Sequence, residues 1–201
     1  MFRVFLVDDE PAVLKALSRL LRTKGYDVRP FTCPRDFLAH HDATVPGCAV
    51  LDVSMPGLDG LELQQALKAQ GSHRPVIFIS GKGDVSTSVR AMKAGAVDFL
   101  MKPVRAGDLF AAIERAEQRD AASRKFYAEL TAIQTKIAAL TPREHQVFTH
   151  VVTGRMNKQI ARDLGTVEKT VKVHRHRMMG KLGVRTVPDL VRLAEKAAMS
   201  A

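Results

Sequence analysis

Along the first hundred residues, short apolar runs alternate with longer stretches in which apolar residues recur every three or four positions. The runs are RVFLV (3–7), YDVRPF (26–31), GCAVL (47–51), PVIFIS (75–80) and VDFLM (97–101). Continuous apolar runs of this length read as strands buried on both faces. The stretches between them, such as PAVLKALSRLLRTKG and LDGLELQQALKAQG, are amphipathic and end in Gly, as helices often do. The alternation predicts an α/β domain: a doubly wound (βα)5 arrangement with a parallel five-stranded sheet covered by helices.

From residue 105 to 140 the pattern changes. Phe126, Leu130, Ile133, Ile137 and Leu140 are spaced 4, 3, 4 and 3 apart, a heptad seam. The preceding EQRDAASRK holds neither Pro nor Gly, so the spacing predicts a long helical linker running on from the last helix of the first domain. The seam can join a second copy or pack on the protein's own domains, and the pattern favours neither. Past Leu140, four helices are predicted. Thr141-Pro142-Arg143-Glu144 is a capping box with Pro at the first helical position. Gly154 ends that helix, and Asn157 is placed to cap NKQIARDL, which stops at Gly165. A longer helix runs to about Leu182, and Thr186-Val187-Pro188-Asp189 opens a fourth. Two helices joined by a tight Gly-containing turn in an all-α unit describe a helix-turn-helix. The expected organisation is a first domain over 1–119, a linker over 120–139 and a second domain over 140–201.

Charge separates the two halves. Residues 1–120 hold 16 Lys+Arg against 15 Asp+Glu, whereas residues 121–201 hold 15 against 6. A basic second half beside a neutral first half points to a polyanion as the partner of the second alone. The cysteines Cys33 and Cys48 match no metal spacing and read as reduced thiols, which with the lack of a targeting segment predicts a cytoplasmic protein. No apolar run approaches the roughly 18 residues of a membrane span, so no membrane partner is expected.

Candidate chemistry falls at the carboxyl ends of the predicted strands, where open parallel sheets bind ligands. Asp8, Asp9 and Glu10 follow the first strand, Asp52 the third, Ser80 the fourth, and Lys102-Pro103 the fifth. A carboxylate at the end of a buried strand is costly unless it has work or partners. Asp52 alone reads as a turn cap ahead of Met55-Pro56-Gly57. Four features at four strand ends read as one rim. Its carboxylates suit Mg²⁺, which would offset their repulsion and neutralise an incoming phosphoryl group. Asp52 would then be the nucleophile, with Lys102 and Ser80 holding the new phosphate oxygens.

The segments VDDE, LDVSMPGLDG, FISGKGD, AMKAGAVDFL and Lys102-Pro103 resemble the receiver domain of bacterial two-component response regulators. The resemblance implies Asp52 as phosphoacceptor and Asp8, Asp9, Asp52 and the Ser54 backbone carbonyl as ligands of Mg²⁺ or Mn²⁺. It also implies Ser80 as switch hydroxyl and Phe99 as the aromatic that turns inward on phosphorylation. Lys82, two residues past Ser80, is placed to shield the phosphoryl group. Receivers of this kind often pair through the fourth helix and fifth strand, here Val89, Arg90, Lys93 and Ala94. Residues 140–184, above all TVKVHRHRMMGKL, resemble the LuxR-type helix-turn-helix, and the combination resembles the NarL/FixJ family. One departure is Thr166-Val167, where the family usually places a hydrophobic residue and then Ser or Thr, so the usual cap of the recognition helix is lost or shifted.

Helical angles sort that third helix. Val171, His174, Arg175, Met178 and Leu182 share a core side, while Lys169, Lys172, Val173, His176 and Arg177 lie on the other. With Thr170 and with Lys158 from the preceding helix, these are the expected DNA contacts. Arg175, at the core edge, suits a structural pairing or a phosphate contact equally. The function implied is a DNA-binding regulator, not itself an enzyme beyond slow self-dephosphorylation. A sensor histidine kinase would phosphorylate it, and as a dimer it would then grip double-stranded DNA and regulate, and in the simplest case activate, transcription with RNA polymerase as a further partner. Two rivals stand beside it. A haloacid-dehalogenase-like phosphatase also uses an Asp after a strand but needs a second acid two residues on, where this chain has Ser54. A phosphorylation-controlled adaptor without DNA binding would leave the basic outward face of the third helix without a purpose.

Overall fold

The computed structural model describes residues 2–81 and 85–198, so Lys82 lies outside the described residues. Five strands, β1 (Arg3–Val7), β2 (Asp27–Phe31), β3 (Gly47–Asp52), β4 (Val76–Ser80) and β5 (Asp98–Met101), are all parallel, in the order β2-β1-β3-β4-β5. The strand order reverses between β1 and β3, which makes their carboxyl ends the topological switch point. The helices of this part are α1 (Pro11–Thr23), α2 (Pro34–His40), α3 (Gly60–Ala69), α4 (Val85–Lys93) and α5 (Ala106–Ala138). Among the described residues no helix is long and apolar enough to cross a membrane.

Successive strand residues point to opposite faces, and each face has its own core. Val4, Leu6, Val50, Ile77 and Ile79 pack with Leu14, Leu17 and Leu21 of α1 and with Leu109 and Ile113 of α5. Phe5, Val7, Leu51 and Phe78 pack with Phe37 of α2, Leu63 and Leu67 of α3, and Ala91 of α4. Each such side chain, taken fully out of water, stabilises the fold by about 1.5–3 kcal/mol before entropy is counted. This double burial is why the strands read as unbroken apolar runs.

The described residues form two compact units, Met1–Arg124 and Lys125–Ala201, and α5 is one continuous helix of 33 residues. The first unit thus takes in the opening turn of the stretch read as a linker. In the second unit, Ile137 and Leu140 of the heptad seam pack on the unit's own core and Leu130 is buried, while Phe126 stays exposed. Its remaining helices are α6 (Pro142–Val152), α7 (Asn157–Asp163), α8 (Glu168–Leu182) and α9 (Val187–Ala198), around Val147, Val151, Ile160, Val171, Met178, Leu182 and Leu190.

The capping box opens α6 as expected: Thr141 Oγ1 accepts from the Glu144 N–H and a Glu144 carboxylate oxygen accepts from the Thr141 N–H. The expectation for Asn157 is corrected. It is the first helical residue of α7, not its cap, and its Oδ1 accepts a hydrogen bond from Arg175 Nη1 at 2.9 Å. Gln159 Oε1 instead reaches back to the Met156 N–H. Arg175 is therefore a structural pair tying α8 to α7. Val167 stands at the N-cap of α8 with no side-chain cap bond, so the usual cap is lost.

Candidate functional site

Three strand ends deliver the acidic rim. Asp8 follows β1 and is buried; Asp52 closes β3 and is buried; Asp9 is exposed. Lys102, after β5, reaches across the switch point. Its ammonium lies 2.8 Å from Asp8 Oδ2, 2.9 Å from Asp52 Oδ1 and 3.2 Å from Glu10 Oε1. The second Asp52 oxygen accepts from the Ser54 N–H at 2.7 Å, and Asp8 Oδ1 accepts from the Glu10 N–H at 2.9 Å.

The turn after Asp52 depends on a close approach. A Cβ on Gly60 would lie 2.3 Å from the Asp52 carbonyl oxygen, so only glycine lets α3 start against the end of β3. Asp59 caps that helix: its Oδ1 accepts from the Glu62 N–H, and Glu62 answers to the Asp59 N–H. The sequence PGLDG thus fixes the loop behind Asp52.

Charge in the rim is unevenly shared. Burial raises the Asp8 pKa above the usual carboxylate value, with the Asp52 charge adding to it; the bonds from Lys102 and the Glu10 N–H oppose this without cancelling it. Lys102 is pulled down by burial but pushed up further by its hydrogen bonds to Asp52 and Asp8 and by their charge, so it stays protonated. Ser80, the last residue of β4, is buried, and Phe99 on β5 is half-buried with its ring 6.4 Å from that of Phe78.

The rim suits a hard divalent ion. Asp8 Oδ2 and Asp52 Oδ1 are buried anionic oxygens that face one another across the Lys102 ammonium, so the rim already gathers positive charge where a cation would sit. Among the described residues no three His, Cys, Asp or Glu side chains form a ready metal cage. Mg²⁺ does not need one, since it takes one or two carboxylates and keeps several waters.

In the second unit, Lys169, Lys172, Val173, His176 and Arg177 are all exposed on α8, as is Lys158 on α7, while Thr170 is half-buried. Lys172 Nζ sits 3.2 Å from Glu168 Oε1, an i,i+4 pair visible in the sequence but absent from the expected contact set. Behind this face, Lys181 Nζ donates to Glu144 Oε2 at 2.6 Å and joins α8 to α6. On the first unit, Val89, Arg90 and Lys93 are exposed and Ala94 half-buried, beside the exposed Val85, Met92 and Met101.

Residues 4–114 match the response regulator receiver domain family, and residues 138–194 match the LuxR family of bacterial regulatory proteins. Nodulation protein W of Bradyrhizobium diazoefficiens is 41% identical over 198 residues, covering 98% of this chain and 87% of that protein. Response regulator protein TodT of Pseudomonas putida is 42% identical over 193 residues, covering 96% and 85%. Among solved structures, the response regulator StyR matches with a TM-score of 0.82 at 45% identity, covering 96% of this chain and 98% of that one. Full-length FixJ from B. japonicum matches with a TM-score of 0.60 at 39% identity, covering 98% of each. The rim at the switch point and the exposed basic helix thus coincide with two matched domains, and the chain belongs to the two-component response regulators that join a receiver domain to a LuxR-type DNA-binding domain.

Proposed function

We propose that Asp52 accepts a phosphoryl group from a sensor histidine kinase and that this event controls transcription. The observation that carries the proposal is the buried Asp52 carboxylate at the switch point, with Lys102 at 2.9 Å on one oxygen and the Ser54 N–H at 2.7 Å on the other. An Asp52 oxygen attacks phosphorus, the P–N bond to the donor histidine breaks, and the departing imidazole keeps the electron pair and takes a proton. Asp8, Asp9, Asp52 and the Ser54 carbonyl would hold Mg²⁺ or Mn²⁺, which would supply positive charge against the phosphoryl oxygens. Lys102 exchanges its carboxylate partners for the new phosphate, Ser80 donates to it, and Phe99 follows inward. Hydrolysis of the acyl phosphate by water, slow and without a further partner, resets the switch.

Phosphorylation then favours pairing of receivers through Val89, Arg90, Lys93 and Ala94, which brings two helix-turn-helix units onto DNA half-sites. Lys172 donates to guanine acceptors, Val173 meets a thymine methyl, and His176 donates to a base or a phosphate. Lys169 and Thr170 flank that reading edge, while Lys158 and Arg177 meet phosphates. The bound dimer contacts RNA polymerase, and the setting is the cytoplasm, in keeping with two free cysteines and no membrane-spanning helix among the described residues.

Acetyl phosphate with Mg²⁺ should add one phosphoryl group by intact mass, and Asp52→Asn should abolish it; the same label on the Asn variant would remove Asp52 from this role. For DNA, Lys172→Ala should cost about 1–3 kcal/mol on the preferred site and relax preference at one base pair. Lys158→Ala should weaken all sequences alike and lower the salt slope by about one. Equal weakening of every sequence by Lys172→Ala would make Lys172 a phosphate contact instead.

A further inference from the structure

A second polar cluster lies at the other end of β3 from Asp52. In α5 the fully buried Leu109, Ala112, Ile113 and Ala116 form a stripe against the sheet. Four residues on, the stripe continues with Asp120, which is 5% exposed. A carboxylate buried there needs partners. Arg124 Nε donates to Asp120 Oδ2 at 2.7 Å, and the Gly47 N–H donates to the same oxygen at 3.3 Å.

Arg124 has donors left, and three further hydrogen bonds from them go to the loop between α2 and β3. Its Nη1 donates to the Thr44 carbonyl at 2.7 Å, and its Nη2 to those of Ala43 at 3.0 Å and Val45 at 2.5 Å. Arg74, ahead of β4, donates Nη2 to the carbonyls of Asp42 at 2.6 Å and Val45 at 3.2 Å, with its guanidinium 4.3 Å from the centre of the Phe5 ring. Four successive loop carbonyls are held by two arginines. Burial lowers Arg74 to about 10, and the Asp120 charge opposes that fall. Nothing larger than glycine fits at 47: a Cβ would lie 2.2 Å from the Arg3 carbonyl oxygen and 2.8 Å from Arg74 Nη1.

We propose that Asp120 and Arg124 are positioning residues that hold the last turns of the receiver's helix, up to Arg124, against the loop ahead of β3, and that the response of DNA binding to phosphorylation needs this hold. A guanidinium gripping three carbonyls and a carboxylate is constrained in rotation as well as in position, which a lysine could not match. Without the grip, Asp120 keeps only the Gly47 N–H as a hydrogen-bond donor, a poor exchange for a buried charge, and the last turn before Lys125 comes away. The loop feeds directly into β3, so one strand carries this clamp at its start and the proposed phosphoacceptor at its end. The effect on output rests on the Asp52 reading; the attachment of the helix does not.

The test uses the full chain with Arg124→Ala, Arg124→Lys and Asp120→Asn, the last two keeping size or charge should the first fail to fold. Amide exchange over residues 41–47 and 117–124 reads the attachment. The gain in DNA affinity on adding beryllofluoride reads the positioning, with phosphoryl incorporation by acetyl phosphate as the control. Arg124→Ala should speed exchange in both segments about tenfold or more, with Arg124→Lys between it and the parent. Incorporation should be unchanged while the gain in DNA affinity falls about fivefold or more. Unchanged exchange in the variants overturns the clamp. Faster exchange with an undiminished gain shows that the pair only steadies the loop, and overturns the positioning role. If the parent protein itself shows no gain, the Asp52 switch fails, and the exchange result alone decides the attachment.

Discussion

Each unit of the molecule buries a carboxylate against a lysine, and the two settings push in opposite directions. In the first, Asp8 shares Lys102 with Asp52 and Glu10, and burial keeps its pKa raised. In the second, Glu144 has Lys181 to itself and also accepts from the Thr141 N–H. These bonds, Lys181 first, bring its pKa down to about 2. One lysine for three acids leaves the first site short of positive charge; one lysine for one acid leaves the second satisfied. On the proposed function, the first is a place where stability has been given up for chemistry, and the second is a fastener.

That comparison can be broken most directly at Lys181. Its replacement by Met should destabilise the second unit by about 1.5 kcal/mol, the low end for a hydrogen bond to a charged group because the lysine is partly exposed. The pH dependence has a definite sign. Glu144 lies below its ordinary value, so its contribution is fully present above about 4.5 and is lost as pH falls toward about 2. Lys181→Met should flatten that slope; residue-resolved amide exchange across the range reads it, and a slope kept in the variant would show that Glu144 is not its source. A smaller effect, of the other sign, belongs to the uncapped α8. Val167→Ser should supply the missing acceptor and raise the stability of the second unit by about 1 kcal/mol, seen as a higher midpoint in urea. Smallest is the expected gain from Asp8→Asn. Relieving a carboxylate whose charged form is disfavoured should raise the metal-free melting temperature of the first unit at pH values where Asp8 is ionised, while Mg²⁺ loses its stabilising effect. A fall in that temperature would place Asp8 with Glu144 as a fastener.

Much of this was legible in the sequence, for reasons that differ by residue. The five strands announced themselves because both faces are buried, and each begins and ends within a residue of the expected bounds. The rim residues were legible because each ends or follows an apolar run. The outward face of α8 followed from periodicity alone. Asn157 misled because its residue type suits a cap, whereas its actual partner, Arg175, is 18 residues away. The short α2 carries too few residues for a period to emerge. The clamp at Asp120 and Arg124 left no trace, because its partners are backbone carbonyls some 80 residues distant, and a carbonyl has no residue type.

Lys102 belongs to the same chain as the acids it bridges, so at the receiver rim it is a tethered competitor. A partner joined by the backbone faces its target at an effective concentration of about millimolar or higher, whatever the solution holds. A free cation entering the rim must displace this ammonium from Asp8 and Asp52 before gaining their oxygens. The observed affinity for a divalent ion is then the intrinsic affinity reduced by the fraction of time the lysine has withdrawn. On the proposed metal role, Lys102 raises the free-ion concentration at which the rim is half filled and leaves the shape of the binding curve unchanged.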